Sequence, residues 1–264
     1  MTGVLLLYGT ADFPAWGDPA CPAATHVSNV YIEKTFEQTH VPNIVTAVLA
    51  DYRGYDTMFE TSVIFCAGLA CFLLLRDFRK KKEHFYRHVP TGVILHVKNT
   101  EETLSVGKEF EYMDREWVPP DLIIKTVCRI LIPFIQIYAF YVVAHGDFSP
   151  GGGFQGGVIF GASLILIAIA YNLKTLVQRI KEKIFGICAA VGVLIYAGIA
   201  AICMPMGGRF LNYGKLAPLV PGDPDHVRAL GMLGIEIGVG IAVMAVMCII
   251  YINIVSEGRH DEGL

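Results

Sequence analysis

A chain of 264 residues with 54% hydrophobic and only 17% charged residues is far from an ordinary soluble domain, which carries about a quarter charged residues. Its formal net charge of −3 argues against a nucleic-acid partner, since phosphate binding needs Lys and Arg clustered on one folded face. The seven cysteines, Cys21, Cys66, Cys71, Cys128, Cys188, Cys203 and Cys248, include no Cys-x-x-Cys pair, so no cofactor, metal or cluster is expected, and the chain is not expected to be a redox enzyme itself.

In chain order, residues 1–8 are apolar but shorter than the roughly 20 residues that cross a bilayer, which reads as the stump of a lost or misassigned first span. Residues 10–40 are Pro-rich and mixed, predicting an ordered loop and a short helix at the membrane surface. A short apolar stretch from Pro42 to Ala50 reads as a surface or half-inserted helix, and residues 57–75 read as the first full span. Arg76, Arg79, Lys80, Lys81, Lys82 and Arg87 follow it directly, which by the positive-inside rule puts that end in the cytoplasm. Residues 89–117 alternate in Val93-Ile94-Leu95-His96-Val97 and then turn acidic, suiting a small cytoplasmic linker with a β-hairpin.

Four more spans are predicted near residues 122–144, 153–173, 184–206 and 230–255. Lys174, Arg179, Lys181 and Lys183 then fall on the same side as the first basic run, as does the C-terminus. The fold class is an all-α integral membrane protein of about five transmembrane helices. Three units are expected: residues 1–90 with one span, a linker over 91–117, and a four-helix unit over 118–264.

Between the second and third spans lies His145-Gly146-Asp147-Phe148-Ser149-Pro150-Gly151-Gly152-Gly153-Phe154-Gln155-Gly156-Gly157, too polar and flexible to belong to either. Pro150 and Gly151, Gly152 and Gly153 break the incoming helix and allow positive φ, so this is a hairpin tip. Gly153, Gly157 and Gly161 then put a small groove on one helix face, where a neighbour can pack closely.

Ionisable groups inside spans are costly and therefore have partners or functions. Lys125 and Arg129 share a helix face with Asp121, which suits an intrahelical ion pair with snorkelling stems; Arg129 lies deeper and also suits a carboxylate or lipid-headgroup partner. Glu236 has only small and apolar neighbours, so its partner must come from another helix, either to lock helices together or to poise the carboxylate for proton exchange. Glu60 follows Asp56 at a helix start, where the dipole favours it without any transport role; with Asp51 and Arg53 it also forms a charged cluster at the membrane edge. His145 suits a cap for the tip or a proton relay.

The hairpin-tip string, with Gly234-Ile235-Glu236-Ile237-Gly238-Val239 in the last span, resembles the B-type (MnhB/MrpB-like) component of multisubunit Na⁺/H⁺ antiporters of the Mrp type. Asn43-Ile44-Val45, Asp51-Tyr52-Arg53-Gly54-Tyr55-Asp56-Thr57 and Glu60 resemble the E-type component of membrane-bound hydrogenases and the C-terminal module of the large A-type antiporter component. The resemblance implies a non-catalytic subunit of a complex that moves Na⁺ and H⁺, with Glu60, Glu236, Arg129, Lys125, His145 and Asp56 as ion-path candidates. The implied partners are other Mrp-type antiporter subunits and the lipid bilayer, joined by hydrogenase or other redox subunits where the complex is redox-driven. The alternative is a purely structural scaffold that positions larger pumping subunits.

Overall fold

The computed structural model describes residues 2–76, 83–91, 93–98, 109–113, 122–148 and 151–256. Pro150, Asp121, Lys80 and most of the acidic linker lie outside them, and with them the Asp121 pairing and part of the basic run.

Among the described residues, five helices are long and apolar enough to cross a membrane: α4 (Gly54–Leu75), α5 (Leu122–Ala144), α6 (Gly153–Tyr171), α8 (Glu182–Ile202) and α9 (Pro224–Val255). The chain is a multi-pass, helical membrane protein, and the predicted spans sit within a few residues of the observed ones. Two boundaries move for local reasons. Helix α9 starts at Pro224, whose fixed φ suits a first helical position, rather than at residue 230. The third span ends at Tyr171 because Asn172 adopts φ 85° and caps the short helix α7 (Leu173–Arg179) through Thr175 N, 3.1 Å from its Oδ1.

Before the first span come α1 (Thr2–Gly9), α2 (Ser28–Thr39) and α3 (Ile44–Ala47), the last capped by Asn43, whose Oδ1 accepts from Val45 N at 3.0 Å. A π-type turn over Val48–Tyr52 and the non-helical Arg53 (φ −117°, ψ 30°) then separate α3 from α4. The stretch is thus a broken helix folded onto the bundle, with Val41, Thr46, Ala47 and Ala50 buried.

Two strands of the expected linker pair with a third that precedes it, making a three-stranded antiparallel sheet among the described residues where a hairpin was expected. Its order is β2 (Ile94–Lys98), β1 (Glu83–His88), β3 (Phe110–Met113), with Phe85 opposite His96 and Tyr86 opposite Tyr112.

Helix α9 is the axis of the bundle. It packs against α4, α6 and α8 and is 61% buried over its apolar window, against 11% for α4 and 22% for α5, so the last two present most of their surface outward. Its 32 residues span about 48 Å, more than the roughly 30 Å hydrocarbon core, so turns of α9 project beyond the bilayer. Glycine brings the helices together. A Cβ on Gly157 would stand 2.6 Å from Gly240 O, and one on Gly192 would stand 2.5 Å from Gly238 O, so backbones meet there without side chains between them.

Candidate functional site

The hairpin tip closes over Glu236. Helix α5 ends at Ala144, and residues 145–148 turn back with His145 N donating to Tyr141 O at 3.0 Å and Phe148 N to His145 O at 3.1 Å. Gly152 enters α6 at φ 149°, a conformation glycine adopts readily and other residues resist. The two sides of the tip hold the Glu236 carboxylate between them: a Cβ on Gly146 would lie 2.3 Å from Oε2, and one on Gly152 would lie 3.2 Å from Oε1. One turn of α9 supplies the rest of the contact, because a Cβ on Gly153 would fall 1.8 Å from Glu236 O. Glycine at 146, 152 and 153 is therefore a steric requirement of placing this carboxylate here.

The broken helix clamps the tip from the other side. Asn43 Nδ2 and Thr46 Oγ1 both donate to Gly146 O, at 2.6 and 2.7 Å, and Asn43 N donates to Asp147 O at 3.0 Å. A small cavity of about 50 Å³ lies between Thr46, Thr57, Gln155, Tyr196 and Glu236, large enough for water. Glu236 Oε2 and Asp147 Oδ1 are both buried without a hydrogen-bond partner among the described residues. The two carboxylates are close enough to interact, and burial raises the pKa of Asp147 above the ordinary aspartate range. None of the described ion pairs includes Glu236. Two half-buried carboxylates, each with one buried oxygen unsatisfied among the described residues, beside a hydroxyl and backbone carbonyls, make a site able to accept a proton or a hard cation with oxygen ligands.

Two ties frame this site. At the break itself, Arg228 Nε and Nη2 hold Asp51 Oδ2 at 2.8 and 2.7 Å, and Arg228 Nη1 donates to Gln38 O at 3.3 Å. Burial shifts the Asp51 pKa upward, against the pull of Arg228. Tyr213 and Tyr196 tie the break to the bundle, donating to Ala50 O at 2.9 Å and Gly54 O at 2.7 Å. Burial pushes the Tyr213 phenol up. At the opposite end, Arg76 pairs with Glu182 at 2.7 Å, and Asn253 Nδ2 donates to the other Glu182 oxygen at 2.9 Å, tying α4, α8 and α9.

The remaining candidates lie elsewhere. Helix α4 starts three residues before Thr57, so Glu60 is past the first turn, where dipole capping was expected; it is exposed and makes no hydrogen bond or ion pair among the described residues. It is Thr57, not Glu60, that lines the Glu236 cavity. Asp56 pairs with Arg53 at 2.5 Å on the surface. His145 is exposed and stacks on Tyr141 with centroids 4.1 Å apart. Along α5, Lys125 sits about 30 Å and Arg129 about 24 Å from His145, and Lys125 Nζ lies 5.2 Å from the Tyr171 ring centroid. Gly151, Gly152, Gly153 and Gln155 line the cavity, and Gly157 lies one turn below on Gly240. Sequence reasoning passed over Asn43, Thr46 and Asp147, because their roles depend on contacts about 100 residues apart. The signal available was polar residues in otherwise apolar surroundings.

Helices broken against a bundle and closing on a half-buried carboxylate give the fold of a multi-pass helical membrane protein. Within that class, residues 123–249 match the domain related to the MnhB subunit of Na⁺/H⁺ antiporter, and residues 15–89 match the MbhE family, the E component of MBH. Curated relatives include proteins named as antiporter subunit mnhB2 from Staphylococcus aureus strains Newman and JH1. Each is 29% identical over 140 residues, which is 53% of this chain and 96% of the relative. The fold matches the Mrp complex from Dietzia sp. DQ12-45-1b, with a TM-score of 0.65 at 23% identity over 98% of this chain and 25% of that one. It also matches the membrane-bound sulfane sulfur reductase, an archaeal respiratory membrane complex, with a TM-score of 0.60 at 24% identity, covering 96% and 93% of the two chains.

Proposed function

We propose that the chain is a non-catalytic membrane subunit of a multisubunit Na⁺/H⁺ antiporter module, which works either as a stand-alone antiporter or inside a redox-driven complex. The single observation that carries this reading is the Glu236 carboxylate, wedged between Gly146 and Gly152 with Oε2 unsatisfied and Asp147 beside it. Such a group exchanges a proton or a small cation more readily than a carboxylate locked to an arginine. Similarity to MnhB-type subunits supports the ions being Na⁺ and H⁺. The two family matches support reading residues 1–90 and 118–264 as two fused modules joined by residues 91–117. Other Mrp-type subunits are the partners, joined by hydrogenase or other redox subunits where electron transfer drives the module. Arg76, Lys174, Arg179, Lys181 and Lys183 support a cytoplasmic basic end. Glu60 on the outward face of α4 is then available to a path shared with a neighbouring subunit.

Glu236→Gln and Glu236→Asp in the intact complex test the reading by Na⁺-driven proton movement in sealed vesicles. A conduit predicts normal assembly with transport lost in the amide and partly kept in the aspartate. The scaffold reading draws on the close glycine packing around α9 and the Arg76–Glu182–Asn253 tie. It predicts instead that both variants transport normally once assembled, or fail to assemble at all.

A further inference from the structure

We propose that the cavity between α5, α6 and α7, at the basic end of the bundle, binds the headgroup phosphate of an anionic phospholipid. The cavity encloses about 630 Å³ and is lined by Lys125, Arg129 and Arg179, with Tyr171 and Gln136 as further polar groups. None of the three cations forms an ion pair or hydrogen bond with a described residue; the one contact is Lys125 over the Tyr171 ring. Lys125, Arg129, Ile132 and Gln136 follow a helical stripe, so α5 presents cations near its start and a single amide deeper. Arg129 lies about 10 Å inside the helix start, where a charge with no counter-ion among the described residues is costly.

The occupant must bring negative charge to that depth and tolerate apolar walls. Ile132, Pro133 and Ile167 form those walls, and α5 exposes Leu122, Ile123, Val127 and Ile130 beside them. Pro133 also lacks the N–H that would bond the Arg129 carbonyl, adding an acceptor to the same stripe. An anionic phospholipid fits this amphipathic outline, with its phosphate among the three cations and an acyl chain along the isoleucines. Basic pockets between transmembrane helices are suited to such headgroups. The site lies toward the opposite end of α5 from the tip that covers Glu236, roughly 25 Å along the helix, and is independent of the transport reading.

The test uses the complex purified with its co-isolated subunits and exchanged into three kinds of vesicle: phosphatidylcholine alone, phosphatidylcholine with one fifth phosphatidylglycerol, and phosphatidylcholine with added inorganic phosphate. Lipid retained per chain after delipidation is read by native mass spectrometry, with thermal unfolding alongside. Each cation is worth about fivefold in binding an anionic headgroup, so Lys125→Gln with Arg129→Gln is expected to bind phosphatidylglycerol about 25-fold more weakly. Lys125→Arg with Arg129→Lys keeps the charge and is expected to behave as wild type. If the double amide variant does not assemble, Arg179→Gln alone is expected to show the loss of about fivefold. Equal retention of phosphatidylglycerol by wild type and variants overturns the proposal. So does full stabilisation by inorganic phosphate with no further gain from phosphatidylglycerol, which would assign the cations to a free anion.

Discussion

Three donors decide the shape of the tip around Glu236: Asn43 N, Asn43 Nδ2 and Thr46 Oγ1, all directed at the backbone of residues 146 and 147. Thr46→Val keeps the volume and removes one donor, so Gly146 O keeps only Asn43. The expected cost is about 1 kcal/mol, read as faster hydrogen exchange in residues 145–148. Asn43→Ala removes the side-chain bond to Gly146 O and the cap of α3 together, and about 2 kcal/mol is expected. Asp147 gives the tip a pH dependence of known sign. Burial raises its folded pKa, so the native tip binds the proton more tightly than the unfolded chain does. Stability contributed by this group therefore falls as pH rises through the window above about 3.9, the ordinary aspartate pKa. Protection of the tip from exchange should be greatest at the acid end, and Asp147→Asn should flatten that slope. A slope unchanged in the asparagine variant would move the effect to another group.

Among the elements, α6 and α9 meet backbone to backbone, and the four-residue glycine spacing made that contact readable in advance. Gly157→Ala sets a methyl 2.6 Å from Gly240 O, backbone that cannot rotate away, so overpacking of about 1–3 kcal/mol is expected. For a chain of this size that is a fall in unfolding midpoint of about 2–4 °C per kcal/mol. Gly186→Ala on α8, where an added methyl meets nothing within 4 Å, is the control and should not lower the midpoint. What the spacing did not reveal is the break between α3 and α4. Nothing local marks Val48–Tyr52 as a π-type turn, since the carbonyls of Ala50 and Gly54 are satisfied by Tyr213 and Tyr196, more than 140 residues away. The spans were legible because a run of apolar residues is a local property; the break depends on distant donors.

For the whole molecule, the N-terminal broken helix and the later helices act as one body because polar ties join them at the end of the bundle that holds the hairpin tip. Arg228→Ala strands the Asp51 carboxylate, whose side chain is only 10% exposed. A fully buried pair costs about 3–5 kcal/mol to break this way, and the 31% exposure of Arg228 brings the expectation nearer to about 2 kcal/mol. Limited proteolysis between residues 40 and 53 should accelerate, while the Arg76–Glu182–Asn253 tie at the other end stays protected. Glu236 was conspicuous in sequence as a lone carboxylate, and its need for a partner from another helix was clear. What meets it is a glycine-rich tip, the Thr46 hydroxyl and a second, repelling carboxylate, with no cation paired to it among the described residues. Periodicity could not say so, because Gly146, Gly152 and Asp147 converge on Glu236 only once α5, α6 and α9 have packed.

Infrared difference spectroscopy of the intact complex, comparing wild type with Glu236→Gln as Na⁺ is added at fixed pH, reaches the central claim most directly. If Glu236 exchanges its proton for Na⁺, the protonated-carboxyl band of wild type should fall on Na⁺ addition and the change should vanish in the amide. An identical band change in both proteins, or none in wild type under conditions where it transports, would contradict an ion-carrying role for Glu236.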